Sequence, residues 1–211
     1  MIKRPILCVI TASNARLSHA DIANAAVLAG APMVQLRMKD ASNTEMFDVA
    51  QTLRAITKGK ALFIVNDSLE VALTVGADGV HLGKEDLPIE IAKRTVPEGF
   101  LIGASVSNAH EAKRAEKLGA SYLGAGPVFA TKNKLDKHPI GLAGLCEACG
   151  AVSIPVLAIG GITLENMPQT IQAGASGVAV ISAISDAKAP LKAIRGLMAS
   201  LKEEPLSRIW R

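Results

Sequence analysis

The stretch Val75-Gly76-Ala77-Asp78-Gly79 ends one apolar helical segment and leads directly into the short β-type run Gly79–Leu82. Gly76 permits this turn, because a glycine just past a helix adopts the left-handed conformation at little steric cost. The same kind of junction recurs at Ala29-Gly30-Ala31, Leu118-Gly119-Ala120 and Ala173-Gly174-Ala175. A repeated helix-to-strand junction indicates a chain that alternates helices and strands along its length.

Short β-type runs alternate with apolar segments of helical period about eight times. Strands are predicted at 6–11, 33–38, 61–65, 79–82, 101–104, 122–125, 156–159 and 177–181, and helices near 20–29, 44–57, 69–75, 89–95, 109–118, 142–148, 164–172 and 190–202. Such alternation implies parallel strands joined by right-handed crossovers. Eight units of roughly 26 residues predict an α/β fold, a (β/α)8 TIM barrel. We expect one compact domain over residues 1–211, with 1–5 and 203–211 as terminal extensions.

A doubly wound open sheet is the alternative architecture for the same alternation of elements. It normally uses fewer strands, and it carries a G-x-G-x-x-G fingerprint in its first β–α turn. The corresponding turn here, residues 11–16, lacks that fingerprint. The barrel is therefore the favoured fold.

The composition narrows the function. The 211 residues are 49% hydrophobic, enough for a large core, yet no run approaches the roughly 18 to 20 apolar residues of a membrane span. The apolar run near the N-terminus is too short and too early for a signal peptide, so we expect a cytoplasmic protein. With 3% aromatic residues, stacking on single-stranded nucleic acid is disfavoured. The net charge of +4 suits phosphorylated small molecules, and we expect no nucleic-acid or membrane partner; a homo-oligomer is possible.

The three cysteines do not make a disulfide framework. Cys146 and Cys149 form a C-x-x-C pair in a predicted helix, with no second pair to complete a zinc site. We interpret them as small core-facing residues in preference to a functional dithiol. Cys8 lies inside an apolar strand and is predicted to be buried.

The richest polar segment is Val34–Lys39, which alternates apolar and polar residues. If it is a strand throughout, Gln35, Arg37 and Lys39 share one face. An amide and two cations that converge in this way require an anion nearby. Because active sites of TIM barrels lie at the carboxyl ends of the strands, we expect the other strand ends to complete that site.

Two carboxylates follow the next two strands, Asp67 after strand three and Asp86 after strand four. Each has a structural alternative, since Asp67 can cap the following helix and Asp86 the helix that opens at Pro88. Taken together at one barrel mouth, they predict a Mg²⁺ site, because Mg²⁺ is commonly held by one or two protein carboxylates plus substrate phosphates.

The remaining strand ends add polar and small residues. Ser105 follows strand five, and Thr131–Lys134 after strand six is predicted to form a lid. Gly160-Gly161 and Ser182 belong to the loops after strands seven and eight, where phosphate sites are frequent in this fold. His81 suits a satisfied interior histidine at least as well as a catalytic one. No G-x-S-x-G nucleophile elbow is present.

In their order along the chain, seven segments resemble the thiamine-phosphate synthase family, and the match covers nearly the whole sequence. The segments are Val34–Lys39, Val65–Asp67, Ala77–Asp86, Gly103–Ser105, Gly124–Phe129, Ala158–Ile162 and Ala173–Ser182. The resemblance implies a transferase that couples hydroxymethylpyrimidine diphosphate to a thiazole phosphate, giving thiamine phosphate and diphosphate, with Mg²⁺ as the metal.

The resemblance also implies roles for individual residues. The pyrimidine diphosphate would be held by Gln35, Leu36, Arg37, Met38, Lys39, Asn66, Ser105 and Lys134, of which Arg37, Lys39, Ser105 and Lys134 are the catalytic candidates. Asp67 and Asp86 would bind Mg²⁺, and the thiazole phosphate would be held by Thr131, Lys132, Asn133, Gly161, Ile181 and Ser182. Departure of diphosphate leaves positive charge that the pyrimidine ring delocalises, so the protein needs mainly to neutralise the leaving group and align the thiazole nitrogen.

Four places depart from the family pattern. Asn133 stands where threonine is usual, Ser107 where histidine often follows the strand-five serine, Ser68 where a charged residue is more usual, and Cys8 with Ala12 where Tyr and Asp are common. A thiazole tautomerase on the same barrel is the main alternative. A sugar-phosphate epimerase and a non-catalytic phosphate-binding barrel also remain. Retention of Asp67, Asp86 and Lys134, without a histidine at 107, favours the synthase.

Overall fold

The computed structural model describes residues 6–14, 16–39, 41–132 and 138–203. Within them, eight parallel strands form a closed barrel in chain order, and the last strand pairs with the first. The strands are β1 (Ile6–Thr11), β2 (Met33–Leu36), β3 (Leu62–Asn66), β4 (Gly79–Leu82), β5 (Leu101–Val106), β6 (Tyr122–Ala125), β7 (Val156–Ile159) and β8 (Gly177–Val180). The predicted TIM barrel is confirmed, and the open sheet is excluded because the sheet closes.

Helices connect the strands and cover the outside of the barrel. In the described part of the chain they are α1 (His19–Ala29), α2 (Asn43–Thr57), α3 (Leu69–Thr74), α4 (Ile89–Thr95), α5 (Ala109–Leu118), α6 (Gly141–Gly150), α7 (Met167–Gln172), α8 (Ser182–Ser185) and α9 (Pro190–Glu203). Two of them begin with a reciprocal capping box, Ser18 with Asp21 and Ser42 with Glu45. The four junction glycines all have positive φ, from 63° at Gly76 to 103° at Gly119, as predicted.

Most predicted elements have bounds that shift by one or two residues, and three differences from the prediction have an evident cause. Strand β2 ends at Leu36, because its last pairing partners are Thr11 in β1 and Val65 in β3. Helix α7 begins at Met167, since Thr163 and Asn166 bond reciprocally in a turn just before it. The short helix α8 was not predicted, because four residues are too few to show a helical period.

Side chains of the strands alternate between two apolar layers. One set, including Leu7, Val34 and Phe63, packs outward against the helices. The other set fills the barrel interior and contains Ile6, Cys8, Ile10, Met33, Ile64, Tyr122, Leu157 and Ala179. This filled interior forms the floor beneath the carboxyl ends of the strands.

The cysteines are free in the structure. Cys8 is 1% exposed, which confirms the prediction for β1. On α6 the buried residues are Leu145, Ala148 and Cys149, whereas Cys146 is exposed. The core-facing prediction is therefore wrong for Cys146, because one step of about 100° from Leu145 rotates it off the buried stripe. None of the helices in the described ranges has the length and apolar content to cross a bilayer.

Candidate active site

A cavity opens at the carboxyl ends of the strands, with about 860 Å³ of empty space that is partly continuous with solvent. Its apolar wall includes Cys8, Ile10, Leu157, Ile159 and Ala179 from the barrel interior. Eight of the predicted site residues line it together: Gln35, Arg37, Asn66, Ser105, Thr131, Gly161, Ile181 and Ser182. The structure thus brings strand ends that are far apart in sequence into one pocket.

A chain of polar side chains crosses the cavity wall. The His81 ring lies 3.1 Å from the Tyr122 hydroxyl through Nδ1 and 3.0 Å from the Ser105 hydroxyl through Nε2. Tyr122 is 1% exposed and His81 8% exposed, so both rings belong to the barrel interior. Gln35, 3% exposed, lies beside the Tyr122 hydroxyl. His81 is therefore a satisfied interior histidine that also lines the cavity.

Two glycines make room for this chain of side chains. A Cβ atom on Gly103 would lie 2.3 Å from Tyr122 Cζ and 2.5 Å from His81 Nδ1. One on Gly124 would lie 3.2 Å from His81 Cε1. The contact between the two rings therefore requires glycine in β5, where any larger residue would overlap both.

The tyrosine hydroxyl and the cysteine thiol of the wall are held in their neutral forms. Burial raises the pKa of the Tyr122 hydroxyl well above its ordinary range, and the nearby Gln35 side chain only partly offsets that rise. Burial likewise raises the pKa of the Cys8 thiol to about 12. A neutral, largely apolar wall suits an uncharged aromatic ring better than an anion.

Charge appears only at the rim of the pocket. Arg37, half-buried, lines both the cavity and a shallow depression that it shares with Lys39. Neither cation forms an ion pair with any residue in the described ranges. The prediction that both lie on one strand face is wrong, because β2 has ended before Arg37. The two cations nevertheless remain next to each other at the mouth, as an anion site requires.

Of the two candidate metal ligands, Asp67 lies at the rim, whereas Asp86 lines a separate depression next to the loop after β4. Asp67 follows β3 directly, and its N–H donates to the His81 carbonyl of β4 at 2.8 Å. Its φ of 68° is left-handed, a conformation that aspartate tolerates better than most residues and that is enriched at functional sites. Asp67 shares a depression with Lys39, so a carboxylate and a cation face the same space.

Asp86 lies in the loop after β4, where its carboxylate accepts the Gly83 N–H at 2.6 Å. Neither aspartate caps a helix: the residue that caps α3 is Ser68, and Pro88 precedes α4 without a side-chain cap. Both cap alternatives are therefore excluded.

The donor set fits Mg²⁺ on chemical grounds. Asp67 and Asp86 follow adjacent strands, and carboxylate oxygens are hard ligands. Within the ranges that the structure describes, no group of three or more acidic, His or Cys side chains could form an all-protein metal cage. Two carboxylates leave most coordination positions to substrate phosphate oxygens and water, which is the way Mg²⁺ is usually held.

The opposite side of the mouth is built from backbone. Gly160 and Gly161 have φ of 95° and 65°, and a Cβ on Gly161 would lie 2.5 Å from the Ala130 carbonyl oxygen. Ser182 opens α8, where the first N–H groups have no partner inside the helix. Main-chain groups exposed in this way suit a phosphate.

Four of the other predicted residues lie outside the cavity. Leu36 is fully buried on the outer face of β2, among side chains that pack against the helices, so its side chain cannot reach a ligand in the barrel. Met38 and Lys39 lie in the rim depression, and Lys132 is exposed beyond Thr131. Asn133 and Lys134 fall outside the described residues, and with them most of the predicted lid.

The cavity also includes residues that the sequence did not single out. His81 was weighed and left undecided, and Tyr122, Cys8, Ile10, Leu157 and Ile159 were assigned only to strands. The available indication was the period of two along each strand, which places residues 8 and 10 on one face. That period does not say which face is the inside of the barrel, because in this sheet both faces are apolar.

Comparisons with known proteins agree with this geometry. A family model described as thiamine monophosphate synthase matches residues 7–184. Thiamine-phosphate synthases of Pyrococcus abyssi and Methanoculleus marisnigri are 51% and 48% identical to this chain. The matches cover 82% and 89% of this chain and 84% and 91% of those proteins, respectively.

Solved structures give the same picture. A thiamine phosphate pyrophosphorylase from Pyrococcus furiosus superposes with a TM-score of 0.87 at 44% identity, covering 94% of this chain and 96% of that one. A 3-hexulose-6-phosphate synthase superposes with a TM-score of 0.72 at 19% identity, covering 93% and 99% of the two chains. The second likeness is one of fold alone.

Proposed function

Because the chain belongs to the thiamine monophosphate synthase family, we propose that it couples hydroxymethylpyrimidine diphosphate to a thiazole phosphate and releases diphosphate. Family membership also identifies it as a transferase, as its motifs predict. One observation supports the proposal most strongly: a largely apolar cavity opens onto Arg37 and Lys39, two cations that form no ion pair within the described ranges. A substrate with an uncharged ring and a diphosphate group matches both parts of this pocket.

In this proposal the rim holds the leaving group. Arg37 and Lys39 bind the diphosphate oxygens, and their charge offsets the negative charge that grows as the C–O bond breaks. Asp67 and Asp86 hold Mg²⁺, which would supply further charge neutralisation when bound. Lys134, outside the described residues, joins the same cluster by the family resemblance.

The cavity wall holds the pyrimidine. Gln35 and Asn66, both buried, offer amide groups to ring nitrogens, and Ser105 offers a hydroxyl. The apolar residues beneath them exclude water from the methylene carbon that becomes electron-poor. Excluding water favours attack by the thiazole nitrogen over hydrolysis.

The thiazole phosphate occupies the backbone side of the mouth. Gly160-Gly161 and the start of α8 present main-chain groups to the phosphate, while Thr131 and Ile181 border the same space. Phosphate sites after strands seven and eight are frequent in this fold. Fixing the phosphate there aligns the thiazole with the pyrimidine without requiring a covalent nucleophile.

The environment of Ser107 argues against the tautomerase alternative. Ser107 contacts Lys84 at 3.2 Å and donates to Glu111 at 2.9 Å, and none of these three side chains lines the cavity. An acid/base group is therefore not available from this position. We also propose that the reaction takes place in the cytoplasm; oligomeric state is a separate measurement.

The deciding experiment mixes the purified protein with both substrates and Mg²⁺ and measures thiamine phosphate by chromatography. We expect one product per diphosphate released, with no product when either substrate is omitted or when EDTA removes the metal. Absence of product at saturating substrates would overturn the proposal. Isomerisation of a thiazole substrate without metal would assign the tautomerase function instead.

A further inference from the structure

We propose that Tyr122 is a positioning residue that, through His81, fixes the Ser105 hydroxyl as a hydrogen-bond donor toward the bound pyrimidine diphosphate. The proposal deepens the proposed function and rests on it for the identity of the ligand. Its geometric basis is a continuous line of contacts, Tyr122 hydroxyl to His81 Nδ1 at 3.1 Å and His81 Nε2 to Ser105 Oγ at 3.0 Å.

The direction of the first hydrogen bond follows from burial. The Tyr122 hydroxyl is enclosed in the barrel interior, and His81 Nδ1 lies within hydrogen-bond distance of it. A buried O–H that donates to nothing is destabilising, whereas an oxygen with an unused lone pair is tolerated more readily. In the proposed arrangement the Gln35 N–H donates to the Tyr122 oxygen, so the Tyr122 O–H donates to His81 Nδ1, which accepts as a neutral imidazole.

The second bond takes its direction from the first. A neutral imidazole that accepts at Nδ1 carries its proton on Nε2. His81 Nε2–H then donates to the Ser105 oxygen, so the Ser105 proton is not used by His81. Ser105 is half-buried and lines the cavity, and its O–H points to whatever occupies that space. Bonds aligned in one direction polarise one another, which makes the last O–H a stronger donor.

Two glycines and Gln35 surround the hydrogen bonds from Tyr122 to His81 and from His81 to Ser105, and they support this arrangement. Gly103 and Gly124 leave the space in which the two rings meet, since a Cβ at Gly103 would overlap both rings and one at Gly124 would press on His81. The Gln35 side chain also hydrogen-bonds the Tyr122 hydroxyl and acts to lower its pKa, as an N–H donor to that oxygen would. An incoming donor at that oxygen reinforces donation of the Tyr122 proton to His81.

The first test is spectroscopic and needs no variant for its main result. The chain contains four histidines, so ¹⁵N-histidine labelling gives a small set of ring signals in long-range ¹⁵N–¹H spectra. At pH 8, above the ordinary histidine pKa of about 6.5, we expect His81 as the Nε2–H tautomer. In Tyr122→Phe its Nδ1 signal should move downfield, toward a nitrogen without a hydrogen bond. The Nδ1–H tautomer in the unsubstituted protein would overturn the proposal.

The second test is a kinetic double-mutant cycle. Loss of an outer hydrogen-bond partner typically costs about 10- to 100-fold, and we expect Tyr122→Phe to lower kcat/KM about 10-fold. In a Ser105→Ala background the same substitution should cost less than about 2-fold, because its effect passes through the Ser105 hydroxyl. An equal loss in both backgrounds would refute the positioning role.

Thr170→Val is the matched control. Thr170 is as buried as Tyr122, but its hydroxyl donates to the Met167 carbonyl at 2.7 Å, within α7 and away from the cavity. This variant should melt at a lower temperature with unchanged kcat/KM and an unchanged His81 spectrum. If the unsubstituted enzyme makes no thiamine phosphate, the proposed function fails, while the tautomer of His81 is still decided by the spectrum.

Discussion

The two ends of the barrel use charged residues differently. At the amino-terminal end, Asp78 accepts from Arg54 at 2.9 Å and from the Phe63 N–H at 2.7 Å. Glu116 there accepts from the Ser153 N–H and hydroxyl. The carboxyl-terminal end also has such a pair, Lys84 with Glu111, but Arg37 and Lys39 at the mouth form no ion pair in the described part of the chain.

This difference separates residues that hold the fold from residues that hold a ligand. A charge with protein partners lowers the energy of the folded state and offers little to a substrate. A charge kept at a mouth without a partner is costly for folding if it is partly buried, and it is useful only when an anion arrives. In TIM barrels stability and catalysis are assigned to opposite ends in this way.

The largest effect is expected when one aspartate at each end of the barrel is substituted and the two variants are compared. Asp67→Ala should lower Mg²⁺-dependent kcat by more than about 100-fold, because it removes the carboxylate that is proposed to hold the metal beside the leaving group. Asp78→Asn should leave kcat unchanged and lower the melting temperature, since it weakens the bonds to Arg54 and Phe63. Steady-state kinetics and calorimetry measure the two outcomes.

The metal assignment has a readout besides activity. Isothermal titration of Mg²⁺ in the presence of diphosphate should show weaker binding in Asp67→Ala and normal binding in Asp78→Asn. Because Asp67 has a left-handed backbone, Asp67→Gly should fold as well as the original protein and still bind metal poorly. Full activity in either Asp67 variant would contradict its role as a metal ligand.

The next-largest effect is expected at Arg37 in the mouth, with Arg54 at the amino-terminal end as the comparison. Arg37→Ala should lower kcat/KM roughly 100-fold, because one donor to the developing charge on the diphosphate disappears. Arg37→Lys should recover part of the loss, since an ammonium keeps the charge without the bidentate geometry. Arg54→Ala should instead lower stability with normal kinetics. If Arg37→Ala left kcat/KM unchanged, the leaving-group role of the rim would be wrong.

A third prediction concerns the space that Gly103 leaves for the Tyr122 and His81 rings. Gly103→Ala should destabilise the fold by roughly 1–3 kcal/mol or more, because the new methyl group overlaps both Tyr122 and His81. Gly150→Ala is the matched control: nothing lies within 4 Å of the new Cβ at this last position of α6. Chemical denaturation measures both, and equal midpoints for the two variants would refute the steric argument.

The smallest effect is a pH dependence at the amino-terminal end. Hydrogen bonds from the Ser153 side chain, and then from the Ser153 and Ile154 N–H groups, lower the pKa of the Glu116 carboxyl. A lowered pKa in the folded state means that the carboxylate contributes stability above its ordinary pKa of about 4.3. This contribution is lost as the pH falls through the lowered pKa.

Glu116→Gln should therefore show a smaller fall in melting temperature between pH 6 and pH 3 than the original protein. Ser153→Ala, which removes the hydroxyl donor but keeps the carboxyl, should lie between the two. Identical pH profiles for all three proteins would mean that these bonds add nothing. Activity at pH 8 should be the same in each.

Much of the fold was predictable because it depends on local patterns. The junction glycines at 30, 76, 119 and 174 have the left-handed conformation that their positions imply. Each strand was also found within two residues of its predicted bounds. The end of β2 was missed because a strand ends where its neighbours stop pairing, and pairing partners are far apart in sequence.

The site was predictable in its chemistry and less so in its geometry. Polar residues at the ends of apolar runs identified Gln35, Asn66, Ser105 and Ser182, all of which line the cavity. The same pattern included Leu36, which faces the helices, and left His81 undecided. The sequence pattern gives the type of each residue and its position along a strand. Which face of the strand lies inside the barrel is defined only when the last strand pairs with the first.

By itself, the sequence determined that this is a parallel barrel with a cationic, carboxylate-bearing mouth. The turn glycines, the period of two along each strand and the order of the motifs can be read from the sequence without knowing the tertiary structure. Only the tertiary structure decided that His81 joins Tyr122 to Ser105, because those residues lie 41 and 24 positions from it. Pairing of β4 and β6 on either side of β5 brings the three residues together, and the space left by Gly103 lets the rings meet.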